Sequence, residues 1–239
     1  ESTCGLPIYR WPAQDVLMDE INAWWRGCQG EGRTAVLFAY PLGKSQRVLA
    51  NVDASIGPLL AHGAVRRINE AYGEAGARLP EVGHATREAV KRAVQSGRAP
   101  LVVAPPSADG SAWLRGFGDV SRAFASGWMA IRGTRRRRSM DRGFALSDHV
   151  DWAQLMTMVR ETGCTRVGVT HGYVHPVARW LRERGLESWG ILTPFEGEEE
   201  GTSEVGGPAV PDGEDAPAAP RPTDLGADAP EGGPAGEAS

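Results

Sequence analysis

The stretch Val169-Thr170-His171-Gly172-Tyr173-Val174-His175 carries two of the chain's five histidines within five residues, directly after a short apolar run. A metal centre, a proton-transfer site and a strand end that happens to bear imidazoles all fit it when it is taken alone. Residues four apart share a helix face, but Gly172 and Pro176 place His171 at a strand end and His175 at the start of the next helix. His171 is therefore the candidate metal ligand, because a strand end can deliver an imidazole to a metal held mainly by other groups. A further imidazole, His149, follows Asp148 in the segment Ser-Asp-His-Val-Asp-Trp at 147–152. A neighbouring carboxylate can hold an imidazole in one tautomer and favour its protonated form, which suits proton transfer. A histidine in such a place is structural or merely exposed more often than catalytic. The zinc motif HxHxDH, aligned on Asp148 and His149, needs histidines at 144 and 146; those positions hold Phe144 and Leu146, so the main metal cluster is not here.

Two segments have residue types that hold phosphate. In Pro41-Leu42-Gly43-Lys44-Ser45-Gln46-Arg47 the Gly-Lys-Ser triplet matches the end of the phosphate-loop pattern GxxxxGK[ST], but the glycine required five positions earlier is Phe38. Nucleotide binding by that motif fails. A strand-to-helix turn remains, in which Lys44, Ser45, Gln46 and backbone N–H groups are candidates for a phosphate of a polynucleotide, with simple helix capping as the competing reading. The run Arg135, Arg136, Arg137 and Arg138 lies about ten residues before His149. Such runs are usually solvated, yet the guanidinium fork also matches phosphate oxygens, which makes the run a candidate clamp if His149 is catalytic.

These residues must be positioned by alternating elements. Pro12 opens a helix in which Leu17, Ile21, Trp24, Trp25 and Cys28 recur at helical spacing, with Gly27 and Gly30 ending it. The apolar runs at 35–41 and 101–106 read as buried strands, and Ser-Gly-Trp-Met-Ala-Ile-Arg-Gly at 126–133 as another. Helices are expected from 43, from 64 and over the polar stretch 80–97. A strand and loop at 143–149, a helix at 151–163, a strand at 165–171 and a helix from 176 follow. Alternation of this kind predicts an α/β fold with a largely parallel sheet, whose functional loops follow the carboxyl ends of strands.

Composition sets the outer limits. With 239 residues and 41% hydrophobic content, the chain can bury one large core or two small ones. No apolar run approaches the roughly 18 to 20 residues needed to span a bilayer, and no signal peptide is evident, so a cytoplasmic protein that does not engage membrane is expected. Three cysteines without CxxC spacing suggest free thiols. From Glu196 onward there are twelve acidic residues and one arginine, a net charge of −11, which leaves +7 on the first 195 residues within a total of −4. A basic body suits a polyanionic partner such as nucleic acid, though it also suits plain solubility. The Gly, Pro, Ala and acid-rich segment 196–239 cannot bury enough surface to offset chain entropy and is expected to be a disordered tail.

Several separated motifs together resemble a known family. The opening Glu-Ser-Thr-Cys-Gly, the Pro-Leu-Gly-Lys-Ser-Gln-Arg turn, Ser-Gly-Trp-Met-Ala-Ile-Arg-Gly, Phe-Ala-Leu-Ser-Asp-His-Val-Asp-Trp and Val-Thr-His-Gly-Tyr occur in the order found in the β-CASP branch of the metallo-β-lactamase nucleases. They are most similar to the bacterial ligase-associated DNA exonucleases. The resemblance covers residues 1–195 and not the tail. It implies a β-CASP domain over 9–141, inserted in a metallo-β-lactamase αββα domain of which only the C-terminal part is present: residues 1–8 would end its first segment and 142–195 would be its returning segment. It implies that Glu1 orients His149, that His149 donates a proton to the leaving oxygen beside Asp148, and that His171 binds one of two zinc ions. DNA is the implied substrate and a DNA ligase a possible functional associate. An RNA-processing enzyme of the same superfamily and a non-catalytic nucleic-acid-binding module are the alternatives.

The HxHxDH cluster and the other metal ligands that the resemblance calls for are absent from this sequence, and zinc affinity depends on several ligands acting together. The chain by itself is therefore expected to be inactive. Zinc-dependent cleavage of labelled DNA by the purified 239-residue chain would overturn that expectation.

Overall fold

The computed structural model describes residues 1–131 and 140–191, and the structural statements below concern those residues. Thr34–Phe38 (β1), Leu59–Ala61 (β2), Gly83–His84 (β3), Leu101–Ala104 (β4), Val120–Ala125 (β5) and Arg142–Phe144 (β6) form a six-stranded sheet in the order β3-β2-β4-β1-β5-β6. Every pairing in it is parallel. The central strands read Thr-Ala-Val-Leu-Phe and Leu-Val-Val-Ala and are buried throughout, as a parallel sheet covered on both faces requires.

The strand period of two divides the core. Ala35, Leu37, Leu101, Val103, Ala123 and Ala125 face Gln14–Gly30 (α1), Lys44–Asn51 (α2) and Val65 of Gly63–Glu74 (α3). Val36, Phe38, Val102, Ala104 and Phe124 face Arg87–Gln95 (α4), Ala112–Arg115 (α5) and a short 3₁₀ turn at Gly127–Ala130. In α1 the spacing of Leu17, Ile21, Trp24, Trp25 and Cys28 puts all five on the buried side, and Trp25 ties the helix to the sheet by donating Nε1–H to the Ala99 carbonyl at 3.0 Å.

A second packing unit follows. Trp152–Glu161 (α6), Arg166–Val169 (β7), Val174–Arg182 (α7) and Glu187–Gly190 (β8) pair as a two-stranded parallel sheet with its helices around Leu155, Val169, Val177, Ala178 and Leu181. Asp151 starts α6 with a capping box, its carboxylate accepting from Gln154 N–H at 2.8 Å while Gln154 returns to Asp151 N–H at 3.1 Å.

The α/β class and the parallel sheet are observed. Two local expectations are corrected. Residues 126–131 are no strand: the strand is the preceding Val-Ser-Arg-Ala-Phe-Ala, and Ser126 Oγ then accepts from Trp128 N–H and turns the chain into a 3₁₀ helix. Helix α1 runs through Gly27 to Gly30. Strand β6 edges the six-stranded sheet, and its Phe144 joins the core. The arginine run 135–138 and the tail lie outside the described residues. Among the described residues no helix is long and apolar enough to cross a membrane.

Leu37 is fully buried in the sheet core whereas Leu42 is 62% exposed on the loop after β1. Leu37→Ala should cost about 2–5 kcal/mol of unfolding free energy and Leu42→Ala no more than about 0.5 kcal/mol, a contrast read from urea midpoints.

Candidate functional site

Residues 1–3 dock on the loop after β7. Ser2 N–H donates to the Thr170 carbonyl at 2.9 Å and to the His171 carbonyl at 3.2 Å, and Tyr173 N–H donates to the Ser2 carbonyl at 3.1 Å, forming a parallel bridge from Ser2 to Gly172. The Ser2 hydroxyl donates to the His171 carbonyl as well. The loop accommodates this approach with two consecutive left-handed residues, His171 at φ 57° and Gly172 at φ 68°. A Cβ on Gly172 would stand 2.5 Å from Thr3 Cα, so only glycine leaves room for the incoming chain. A non-glycine residue held at positive φ, as His171 is, is uncommon and persists where surrounding bonds over-determine it.

This docking sets Glu1 against the loop after β6. Glu1 Oε1 and His149 Nδ1 are 2.8 Å apart, and Glu1 Oε2 accepts from both the backbone N–H and the hydroxyl of Thr3. Partial burial by itself pushes the Glu1 carboxyl up, but the hydrogen bonds from Thr3 and His149 and the charge of His149 together outweigh it and hold the carboxyl below its ordinary value. Both side chains of the pair remain partly open to solvent, 40% for His149 and 36% for Glu1. His171, one residue from the Ser2 dock, shares a hydrogen bond between Nδ1 and Thr170 Oγ1 at 3.0 Å.

Asp148 does not hold the neighbouring imidazole. Its carboxylate lies 3.5 Å from Lys44 Nζ, and a Cβ on Gly43 would come within 2.9 Å of it. Adjacent residues in this loop point apart, so the carboxylate on His149 comes from 148 residues away in sequence. In the 41–47 turn the groups weighed as phosphate holders or helix caps bond within the protein. Gly43 N–H donates to Gln46 Oε1, Lys44 N–H to the Leu42 carbonyl and Ser45 N–H to the Tyr40 carbonyl. Ser45 Oγ donates to the Tyr40 carbonyl at 2.8 Å, Gln46 Nε2 to the Pro41 carbonyl and Asn69 Oδ1, and both residues are buried. These groups close the turn on itself. The turn instead supports the His149 loop: besides Lys44, Arg47 donates Nη1–H to the Ser147 carbonyl at 2.9 Å.

Further residues complete the support. Trp11 donates Nε1–H to the His149 carbonyl at 2.8 Å and its backbone N–H to Asp151 Oδ2 at 2.9 Å. Ser147 Oγ accepts from His149 N–H at 3.1 Å. Tyr9, fully buried, packs its ring against Trp11, Trp128 and Tyr173 and shares a hydroxyl hydrogen bond with Tyr173 at 3.1 Å; burial and that bond raise its pKa, so it stays a neutral phenol. No periodicity or spacing marks Trp11 or Tyr9 in the sequence.

The structure thus brings Glu1 to His149 in the loop after β6, through the docking of Ser2 on the His171 loop after β7, and places His175 in the first turn of α7. Among the described residues no three His, Cys, Asp or Glu side chains converge in a way that could hold a metal ion. The described residues do not by themselves fit a zinc centre. Cys4 and Cys28 are buried free thiols and Cys164 is half-buried; burial pushes the Cys28 thiol up, away from nucleophilic use.

A comparison with known protein families found no family that matches the chain. A curated protein named "Probable DNA ligase" from Opitutus terrae is 32% identical over 191 residues, a match that takes in 80% of this chain and 18% of that protein. The chain therefore spans less than a fifth of the length of the curated relative it matches.

Because the Glu1 pKa is lowered on folding, the stability this group contributes is complete above its ordinary value of 4.5 and is lost as pH falls through the lower folded value. A carbon-13 titration of the Glu1 carboxyl should show its midpoint below 4.5, and Thr3→Val combined with His149→Ala should move it up. A midpoint at or above the ordinary value in the unaltered chain would refute the hydrogen-bonded arrangement.

Proposed function

We propose that this chain supplies the proton-donor side of a metal-dependent phosphodiesterase site that acts on DNA. The observation that carries the reading is the Glu1 carboxylate on His149 Nδ1 at 2.8 Å, beside a loop that presents a second imidazole. A carboxylate on one ring nitrogen fixes the tautomer and stabilises the imidazolium, and the other nitrogen then faces outward as an acid. Hydrolysis of a phosphodiester expels an alkoxide, a poor leaving group until it is protonated. In this reading His149 Nε2–H gives its proton to that oxygen as the P–O bond breaks, and Glu1 holds the ring in place throughout. Trp11, Ser147 and Arg47 keep the backbone of the loop from shifting.

Zinc belongs to this reading only as far as His171 goes. Its Nδ1 is bonded to Thr170, which leaves Nε2 as the ligating nitrogen, and a hydrogen bond on the other ring nitrogen is the usual support of a metal-binding histidine. Further ligands would come from groups other than the described ones, and zinc bound there would act as a Lewis acid on the phosphate.

DNA is favoured over RNA by the name of the relative and by the resemblance to ligase-associated exonucleases. The net +7 of residues 1–195 suits a polyanion, and the Arg135–Arg138 run is the segment proposed to hold its phosphates.

In a protein carrying the complete metal centre, His149→Ala should lower the turnover of labelled single-stranded DNA by roughly 10²–10⁴-fold while bound zinc stays unchanged, and His171→Ala should lose zinc. Loss of zinc in His149→Ala would exchange the two roles, and cleavage of RNA as fast as DNA would sink the choice of substrate.

A further inference from the structure

A cavity of about 320 Å³ opens at the amino ends of β1 and β5, between α4 and the turn at 116–119. The His149 loop follows the carboxyl end of β6, so this cavity lies at the other end of the parallel sheet. Its floor is apolar: Phe117 is buried, and Val94 packs against the core behind it. Arg87, Lys91 and Val94 reach the cavity together because residues four and seven apart share one face of α4.

Two observations set it apart from an ordinary surface hollow. Thr34 lies two residues before Val36, so its side chain falls on the same face of β1 as Val36 and Phe38, toward α4, where it lines the cavity. Thr34 is fully buried, and its hydroxyl has no hydrogen-bond partner among the described residues. A buried polar group left unpaired is uncommon and calls for an explanation. The second observation is charge. Arg87 lies across the Gly116 backbone, its Nε 2.9 Å from where a Cβ would stand. Neither its guanidinium nor the Lys91 ammonium has an ion pair or hydrogen bond among the described residues. Asp119, the acid at the rim, is engaged by Arg33 at 3.2 Å.

We propose that this cavity binds a nucleoside monophosphate, with the phosphate on Arg87 and Lys91 and the base over Phe117 and Val94. A guanidinium fork matches phosphate oxygens, and a flat ring covers an apolar floor with little loss of conformational freedom. The volume is at the lower limit of small-molecule sites, roughly 300 Å³, and takes one nucleotide, not a strand. Water does not reach the Thr34 hydroxyl, so an acceptor on the ligand that comes to it makes a bond that water does not already make. The exposed Arg87 and Lys91 side chains are able to shift for that approach. Inorganic phosphate would use the cations alone, and a nucleoside the floor alone. Hydrolysis at the end of a DNA strand releases such a molecule, yet the binding rests on the cavity's own residues and stands apart from the reading of the His149 site.

The test is an NMR titration of the 239-residue chain with deoxyadenosine monophosphate, followed at the amide signals of Thr34, Gly118 and Asp119. Those signals should shift to saturation, and inorganic phosphate or deoxyadenosine should bind at least about tenfold more weakly. Arg87→Gln with Lys91→Gln should weaken the nucleotide by about tenfold or more. Arg92→Gln makes the same change of charge as Arg87→Gln on the exposed surface of α4 outside the cavity, and should leave binding nearly unchanged. Thr34→Val keeps the shape, removes the hydroxyl and should weaken binding as well. His149→Ala should bind as the unaltered chain does, which separates this site from the catalytic reading. No saturable shift at millimolar nucleotide, inorganic phosphate binding as tightly, or an equal loss in Arg92→Gln would each overturn the proposal. So would undiminished binding in Thr34→Val, or shifts confined to Glu1 and His149.

Discussion

The hydrogen bonds between Ser2 and residues 170–173 are the contact on which the arrangement of the site depends. They join parts of the chain separated by 168 residues in sequence, and three of them run between backbone groups, which fix position without depending on a flexible side chain. Once Ser2 is placed, Glu1 has little freedom, and the carboxylate falls on His149. The geometry is permitted by two consecutive left-handed residues, of which Gly172 leaves space for the approaching Thr3 backbone. The paired carboxylate and imidazole are thus a result of chain topology: a segment from the start of the sequence laid beside the end of a strand from its last third.

The six-stranded sheet gives the His149 loop its other fixed side. Loops after β1 and β6 emerge at the same end of a parallel sheet, and Lys44 and Arg47 from the first grip Asp148 and Ser147 in the second. Trp11, between the docked terminus and α1, closes the loop from outside with a bond to the His149 carbonyl. The proton-donor role proposed for His149 calls for a fixed backbone and an exposed ring. The loop meets both conditions because its polar backbone is satisfied by neighbours while the imidazole stays 40% exposed. The buried polar residues of the 41–47 turn have a related part: Ser45 and Gln46 satisfy the turn internally, and a turn so closed is a firm base from which Lys44 and Arg47 reach across.

Much of the fold was legible because burial leaves a pattern. Continuous apolar runs at 34–38 and 101–104 mark central parallel strands, and the helical spacing of Leu17, Ile21, Trp24, Trp25 and Cys28 marks one helix face. The misreading at 126–131 has a physical reason: Trp128 and Met129 are apolar enough for a strand, but the Ser126 hydroxyl captures the Trp128 N–H and tightens the chain into a 3₁₀ turn. Strand β8, Glu-Ser-Trp-Gly, gave no apolar run because only Ser188 is buried in it. At the site, the motifs marked Glu1, His149 and His171 as residues of interest and took in Thr3 and Arg47 without giving them a part, while Trp11 carried no mark, since supporting hydrogen bonds impose no periodicity.

The sequence by itself determined the α/β class, the alternation of elements that yields a parallel sheet, and which imidazoles sit at loops after strands; these follow from local propensity and from the period of apolar residues, which neighbours along the chain already express. Only the tertiary structure decided which carboxylate meets which base. Asp148 is next to His149 in sequence and points to Lys44, whereas Glu1 at the far end of the chain takes the imidazole. Adjacent residues in an extended loop project to opposite sides, so sequence neighbours are poorly placed to pair, and a partner must come from another element whose position is known only when the whole chain has folded.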